Sequence, residues 1–275
     1  MIKILDLGFS YGQNVVLKDI TMRLEDGHIY GLLGENGVGK TTLLTLLCGL
    51  KKPMAGKIEI DGQNPFDRKP SLMTDIYYLS DEVAEANMTA MEYAKTYGKF
   101  WINFDVEKFI EVMNVLENDP NQKMNQMSFG QLKKAHIAFA LACNSKYLFM
   151  DEPTNGLDIP SKSQFRKSLL KFTREDATVL ISTHQVRDLE NIIDPIIILD
   201  RQQVLLNACI QEIAEKFYFD YSGEAKHEAL YSEMTPGGNI QVLLNTTGED
   251  SKVNIEALFN TVHKHKDLTT SVFSK

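Results

Sequence analysis

Hydrophobic and polar positions change their period several times along the chain. "IYGLL" (Ile29 to Leu33) is a short apolar run, "GENGVGK" is a glycine-rich loop, and "TTLLTLLCGL" reads as a helix closed by Gly49. "GKIEIDG" (Gly56 to Gly62) alternates apolar and polar residues, which predicts a half-buried strand that turns at Asp61-Gly62. From about Asp81 to Lys134 the character is helical. In "DVEKFIEVMNVLEND", Val106, Phe109, Ile110, Met113 and Leu116 recur at helical spacing behind Asp105 as N-cap. "YLFM" (Tyr147 to Met150) and "TVLIS" (Thr178 to Ser182) read as buried strands, and "SQFRKSLLKF" between them places Phe165, Leu169 and Phe172 on one helical face. Apolar strands alternating with helices predict an α/β fold with a mostly parallel sheet covered on both faces.

After about Leu206 the pattern weakens. "EMTPGGNIQVLLN" holds a Pro-Gly-Gly turn and a short strand, and "NIEALFNTVHKHK" carries Ile255, Leu258, Phe259 and Val262 on one helical stripe that must be covered. Residues from about 206 to 275 therefore read as a small accessory segment after a unit of residues 1–205. Three uses of its stripe stay open: sealing the core, lengthening a dimer interface, or binding a regulator. His263 and His265, two apart on that helix, face different sides, which argues against a shared metal site.

Composition narrows the function classes. Hydrophobic content of 43% and charged content of 24% suit a soluble globular protein. A net charge of -8 argues against a general nucleic-acid binder but leaves nucleotide binding open, since backbone amides and one lysine suffice. Cys48, Cys143 and Cys209 are scattered, as in a reducing cytosol. The N-terminus lacks signal-peptide features, and no apolar run reaches the roughly 18–20 residues that cross a bilayer. A role in a membrane process would require another chain to supply the membrane part.

"GENGVGKT" fits the phosphate-loop pattern G-x-x-x-x-G-K-[ST] and lies between a strand and a helix, the context that supports it over a plain glycine-rich turn. The candidate phosphate-binding residues are Gly34, Glu35, Asn36, Gly37, Val38, Gly39, Lys40, Thr41 and Thr42. Lys40 would reach the β- and γ-phosphates, and Thr41 would hold Mg2+ through its hydroxyl. In "YLFMDEPTNGLD" an apolar strand ends in Asp151 and Glu152, at the carboxyl edge where ligands sit in open α/β sheets. Asp151 suits the magnesium shell, and Glu152 suits a general base that polarises the attacking water. A solvated Asp-Glu turn is the plain alternative, weakened by the phosphate loop upstream.

Together "GENGVGKTT", "MSFGQ", "LFMDEPTNGLD" and "STHQ" resemble, in that order, the ABC-type ATPases, over about residues 1 to 205. The resemblance implies a P-loop NTPase cassette with a mixed sheet core and an inserted helical subdomain at about residues 82–135. It also implies ATP and Mg2+ as cofactors and a head-to-tail homodimer or heterodimer with two ATP molecules between the chains. Carried over by motif, Ser128 and Gly130 would contact the γ-phosphate of ATP held by the opposite chain. Gln131 would position that signature, and Asp158 would belong to the loop crossing the dimer axis. His184 would bind the γ-phosphate and orient water. Tyr11 matches the adenine-stacking aromatic, with a sheet-edge aromatic as the alternative.

Two residues depart from the family pattern. Asp81 in "YYLSDEV" stands where a glutamine is usual, as a candidate magnesium contact whose charge alters the site. Phe129 in "MSFGQ" stands where glycine is usual, at a position whose side chain can point away from the nucleotide toward the dimer partner. The stretches around Asp81 and Phe129 resemble bacterial drug- and antimicrobial-peptide-exporter cassettes with separate permease chains. That resemblance implies a cytoplasmic ATPase, peripheral on the inner face of the membrane through an integral-membrane permease, with no nucleic-acid partner. A soluble ABC ATPase acting on ribosomes or DNA is the alternative. A regulatory cassette without turnover is disfavoured by Glu152.

Overall fold

The computed structural model describes residues 1–223 and 226–273. In chain order its elements are β1 (Ile2–Tyr11), β2 (Asn14–Leu24), β3 (Ile29–Leu33), α1 (Lys40–Leu47), β4 (Ala55–Ile60), α2 (Pro70–Met73) and β5 (Ile76–Leu79). Three helices follow, α3 (Ala90–Tyr97), α4 (Val106–Val115) and α5 (Phe129–Ala142), then β6 (Tyr147–Asp151), α6 (Ile159–Phe172), β7 (Thr178–Thr183), β8 (Ile196–Asp200) and β9 (Gln203–Ala208). The chain ends with α7 (Ile210–Lys216), β10 (Phe217–Asp220), β11 (Tyr231–Thr235), β12 (Gly238–Leu244), α8 (Ile255–Lys264) and α9 (Lys266–Phe273).

The central sheet runs in the order β5-β6-β7-β3-β8-β9, parallel throughout except for the antiparallel edge pair β8-β9. Its apolar strands are covered on both faces, and alternate residues show this directly. Leu148 and Met150 of β6, with Val179 and Ile181 of β7, join the core shared with the helices α3 to α6. Tyr147, Phe149 and Leu180 join the opposite core, beneath the antiparallel sheet β2-β1-β4. Helix α1 lies in that second core, with Leu43, Leu44, Leu46 and Leu47 buried. The Lys40 end of α1 is thereby held at the sheet's carboxyl edge.

Two differences from the sequence pattern bear on the site. Helix α5, whose Leu132, Ala135 and Phe139 suggest one inward face, is buried on all sides from Leu132 onward except at Lys134. It lies between α4, α6 and β5, so Lys133 and His136 are buried as well. Strand β9 also runs on to Ala208, so the central sheet extends past residue 206.

Beyond it, β10, β12 and β11 form a small antiparallel sheet, and α8 packs on β11 and β12. Ile255, Leu258 and Val262 of α8 lie in the same hydrophobic core as the helices and one face of the central sheet. No helix of the described residues is long and apolar enough to cross a membrane.

Candidate active site

Helix α1 starts without a side-chain cap. Its N-cap is Gly39 in the left-handed region at φ 114°, and no acidic residue lies in its first turn. Uncapped N–H groups and the positive dipole end suit an anion, and a side chain at Gly39 would be strained in that conformation. Lys40 is buried and folds back on the loop, donating to the carbonyls of Gly34 at 2.8 Å and Glu35 at 3.1 Å. Burial pushes its ammonium below the ordinary lysine range, opposed by Glu152, whose Oε1 lies 3.6 Å away.

Asp151 ends β6 among hydroxyls. Thr41 Oγ1 donates to its Oδ2 at 2.6 Å, Tyr78 Oη to the same oxygen at 3.3 Å, and Ser182 Oγ to Oδ1. A hydroxyl and a carboxylate in contact suit a hard divalent cation such as Mg2+. Among the described residues no three His, Cys, Asp or Glu side chains cluster as a metal site. A small ion with one or two protein ligands and the rest from phosphate and water fits that donor set.

Glu152 follows in the left-handed region at φ 44°, a conformation that costs a non-glycine residue about 1–2 kcal/mol. It is pinned there because its own N–H donates to Ser182 O and Ser182 Oγ, each at 3.1 Å. His184 is added from the end of β7. Lys162 Nζ of α6 donates to Gln185 Oε1 at 2.9 Å, which turns the amide nitrogen of Gln185 toward His184 Nε2 at 3.3 Å. An amide nitrogen only donates, so His184 Nε2 accepts and Nδ1 carries the proton in the neutral ring. That Nδ1 lies 2.9 Å from Glu152 Oε1.

A cavity of ≈ 400 Å³ is lined by Tyr11, Asn36, Gly37, Gly39, Lys40, Thr41, Thr42, Asp81, Asp151 and Glu152, together with Asn14 and Val16. Gly34 and His184 line a neighbouring cavity with Arg187, Glu256 and Phe259 of the C-terminal side. Glu35 and Val38 border a third beside Asp200. Tyr11 is half exposed at the rim, its hydroxyl 3.3 Å from Thr42 Oγ1 and the Lys51 ammonium 5.0 Å from its ring centre.

Ser128, Gly130, Gln131 and Asp158 do not line this cavity. Ser128 caps α5 in a reciprocal box: Gln131 N–H donates to Ser128 Oγ at 3.3 Å, and Ser128 N–H to Gln131 Oε1 at 2.9 Å. Asp158 caps α6 through Ser161 N–H at 2.9 Å. Phe129 is not among the residues lining the cavity; its ring lies against Gly156 of its own chain, with half its surface exposed.

Asp81 is not a bare anion. Lys133 Nζ donates to its Oδ1 at 3.3 Å, and Asn155 Nδ2 lies 3.3 and 3.4 Å from its two carboxylate oxygens. Sequence reasoning missed Lys133, Asn155, Lys162 and Gln185. Ser182 and Gln185 stand within or beside "STHQ", so that motif held a signal for both, whereas nothing local marks Lys133.

The model of the ABC transporter family matches residues 17–155, half of the chain. The chain is 30% identical over 250 residues to the bacitracin transport ATP-binding protein BcrA of Bacillus licheniformis, covering 89% of this chain and 78% of that one. It is 29% identical over 196 residues to the lantibiotic transport ATP-binding protein SrtF of Streptococcus pyogenes, covering 70% and 84% respectively. Among solved structures, the ATP-binding subunit of an ABC transporter superposes with a TM-score of 0.69 at 23% identity, over 78% of this chain and 91% of that one. At that identity the likeness speaks for the fold alone. The sheet order, the phosphate loop before α1 and the matched family model agree: the chain belongs to the ABC transporter family and is its ATP-binding cassette.

Proposed function

We propose that the chain hydrolyses Mg-ATP at a site shared between two cassettes and so powers an exporter whose membrane-spanning permease is a separate chain. The observation that carries this reading is one cavity uniting an uncapped α1 terminus, Lys40, the Thr41–Asp151 pair and Glu152. In it the phosphates would lie on the loop from Gly34 to Thr42, with Lys40 leaving the loop carbonyls for the β- and γ-phosphates. Thr41 and Asp151 would hold Mg2+, which neutralises phosphate charge when bound. Glu152 would take the proton of the attacking water, a role favoured by its position beside His184 and Lys40. Tyr11 at the rim would stack on the base.

Ser128, Gly130 and Asp158 have no place in this cavity, which supports a role toward a second chain. One solved relative in fold is a dimeric bacterial ABC transporter cassette, and another is described as a dimeric post-hydrolysis state bound to ADP and Pi. The names of BcrA and SrtF, bacitracin and lantibiotic transport ATP-binding proteins, support an exporter. Through its permease the chain would sit at the inner face of the cell membrane. The cassette proper is read as residues 1–205, with the helical part at about 82–135 and the later residues closing the core beside His184.

The test is purification of the tagged chain from native membranes. Recovery of a polytopic membrane protein in fixed proportion is the expected result. Recovery of ribosomes or DNA in its place would turn the reading toward a non-transport ATPase.

A further inference from the structure

Lys133 has no exposed surface, and a buried ammonium is costly unless its charge and all three donors are matched. They are matched within two residues of the segment after β5: Asp81 O at 2.7 Å, Asp81 Oδ1 at 3.3 Å and Ser80 O at 3.4 Å. One turn further along α5, His136 Nε2 lies 2.9 Å from Ala84 O. A carbonyl only accepts, so the imidazole donates. Helix α5 thus holds the segment 80–84 near both ends.

The third side of this arrangement is the loop after Glu152. Asn155 reaches the Asp81 carboxylate, and the next residue, Gly156, lies under the ring of Phe129, the first residue of α5. Asp81 faces the chain's own nucleotide cavity, whereas Ser128 caps the N-terminus of the helix that carries Lys133. Ser128 and Lys133 stand five positions apart along α5, about 7.5 Å of a stiff rod.

We infer that Lys133 is a positioning residue that locks Asp81 to the signature helix, so that a chain's own nucleotide pocket and the Ser128 surface it offers its partner move as one body. The inference rests on the proposed shared site. It also accounts for Asp81: an added carboxylate beside Asp151 and Glu152 is tolerable because a fixed cation stands against it. Burial lowers the Lys133 ammonium from the ordinary lysine range, and the charges opposing that shift are Asp81 first, then Asp151 and Glu152.

The experiment uses the full chain in a Glu152→Gln background, where ATP-dependent dimerisation is read by size-exclusion chromatography with light scattering. Mononucleotide binding is read separately with a fluorescent ATP analogue. At analogue concentrations that saturate its own pocket, Lys133→Met should need about tenfold more protein for half-dimerisation than the parent. Lys133→Met/Asp81→Asn, with both charges gone, should recover most of that loss. Asp81→Asn alone leaves the α5 core untouched and should weaken dimerisation in the same direction, which keeps the test open if Lys133→Met misfolds. Dimerisation unchanged in both single variants, or a double variant no better than Lys133→Met, overturns the inference while the shared site stands. A parent chain that binds ATP but stays monomeric overturns the shared site and this inference with it.

Discussion

The ring of Phe129 occupies the space a side chain at Gly156 would need: a β-carbon there would stand 2.2 Å from Phe129 Cε1 and 2.6 Å from Cδ1. The residue that departs from the usual signature is therefore paired with the loop behind Glu152, and Ser128 with its capping box is left intact. Phe129→Gly removes only this half-exposed contact and should change ATP turnover by less than about threefold. Gly156→Ala must fit a left-handed φ of 76° as well as the ring, and should cost about 1–2 kcal/mol or more in denaturant unfolding. Orders of magnitude more turnover in Phe129→Gly would mean that the native signature is degraded.

The Lys162–Gln185–His184 chain sets which ring nitrogen faces Glu152. Gln185→Leu removes the donor that holds Nε2 as acceptor. It should lower kcat by about three- to tenfold, the range of one ordinary hydrogen bond, with KM for ATP nearly unchanged. Lys162→Met should act in the same direction and less strongly. A loss confined to KM would place Gln185 in nucleotide binding.

His136 gives the fold an acid-sensitive point. Burial holds its imidazole below the ordinary value of 6.5, against the bond to Ala84 and with the help of the Lys133 charge. A depressed folded-state value means the unfolded chain binds the proton first, so this stabilisation is complete above pH 6.5 and is lost as pH falls below it. Urea midpoints should therefore decline on acidification through that range. His136→Gln, which keeps a donor for Ala84 without titrating, should flatten that part of the curve.

Thr41 and Asp151 should govern the metal requirement. Chelation of Mg2+ should abolish turnover. Asp151→Asn should leave nucleotide binding measurable while lowering kcat by about 10²-fold or more. A Mg2+ titration of turnover checks both, and an unchanged Mg2+ dependence in Asp151→Asn would remove that residue from the metal shell.

What could be read in the sequence was what the chain holds within a few residues. The phosphate loop, the strand ending in Asp151-Glu152 and the Ser128 helix start are local patterns, and the structure places them at one edge or at a helix cap. Lys133 was not legible, because a lysine beside an apolar stripe looks like the solvated face of a helix. Only the packing of α4, α6 and β5 around α5 buries it against Asp81, 52 residues earlier. The same holds for the α8 stripe. Its spacing was plain, but its partners β11, β12 and the segment at Val186–Asp188 follow from how the chain returns to the sheet.

The shared site is tested most directly by mixing two inactive chains. Ser128→Arg should spoil the surface offered to the partner's ATP, and Glu152→Gln should spoil hydrolysis of the chain's own. Each alone should be inactive. An equal mixture should regain about a quarter of wild-type ATPase activity, because half of the dimers are mixed and each mixed dimer holds one complete site. Mixed dimers that form and yet hydrolyse no ATP would contradict the assignment of Ser128 and Glu152 to one site built across two chains.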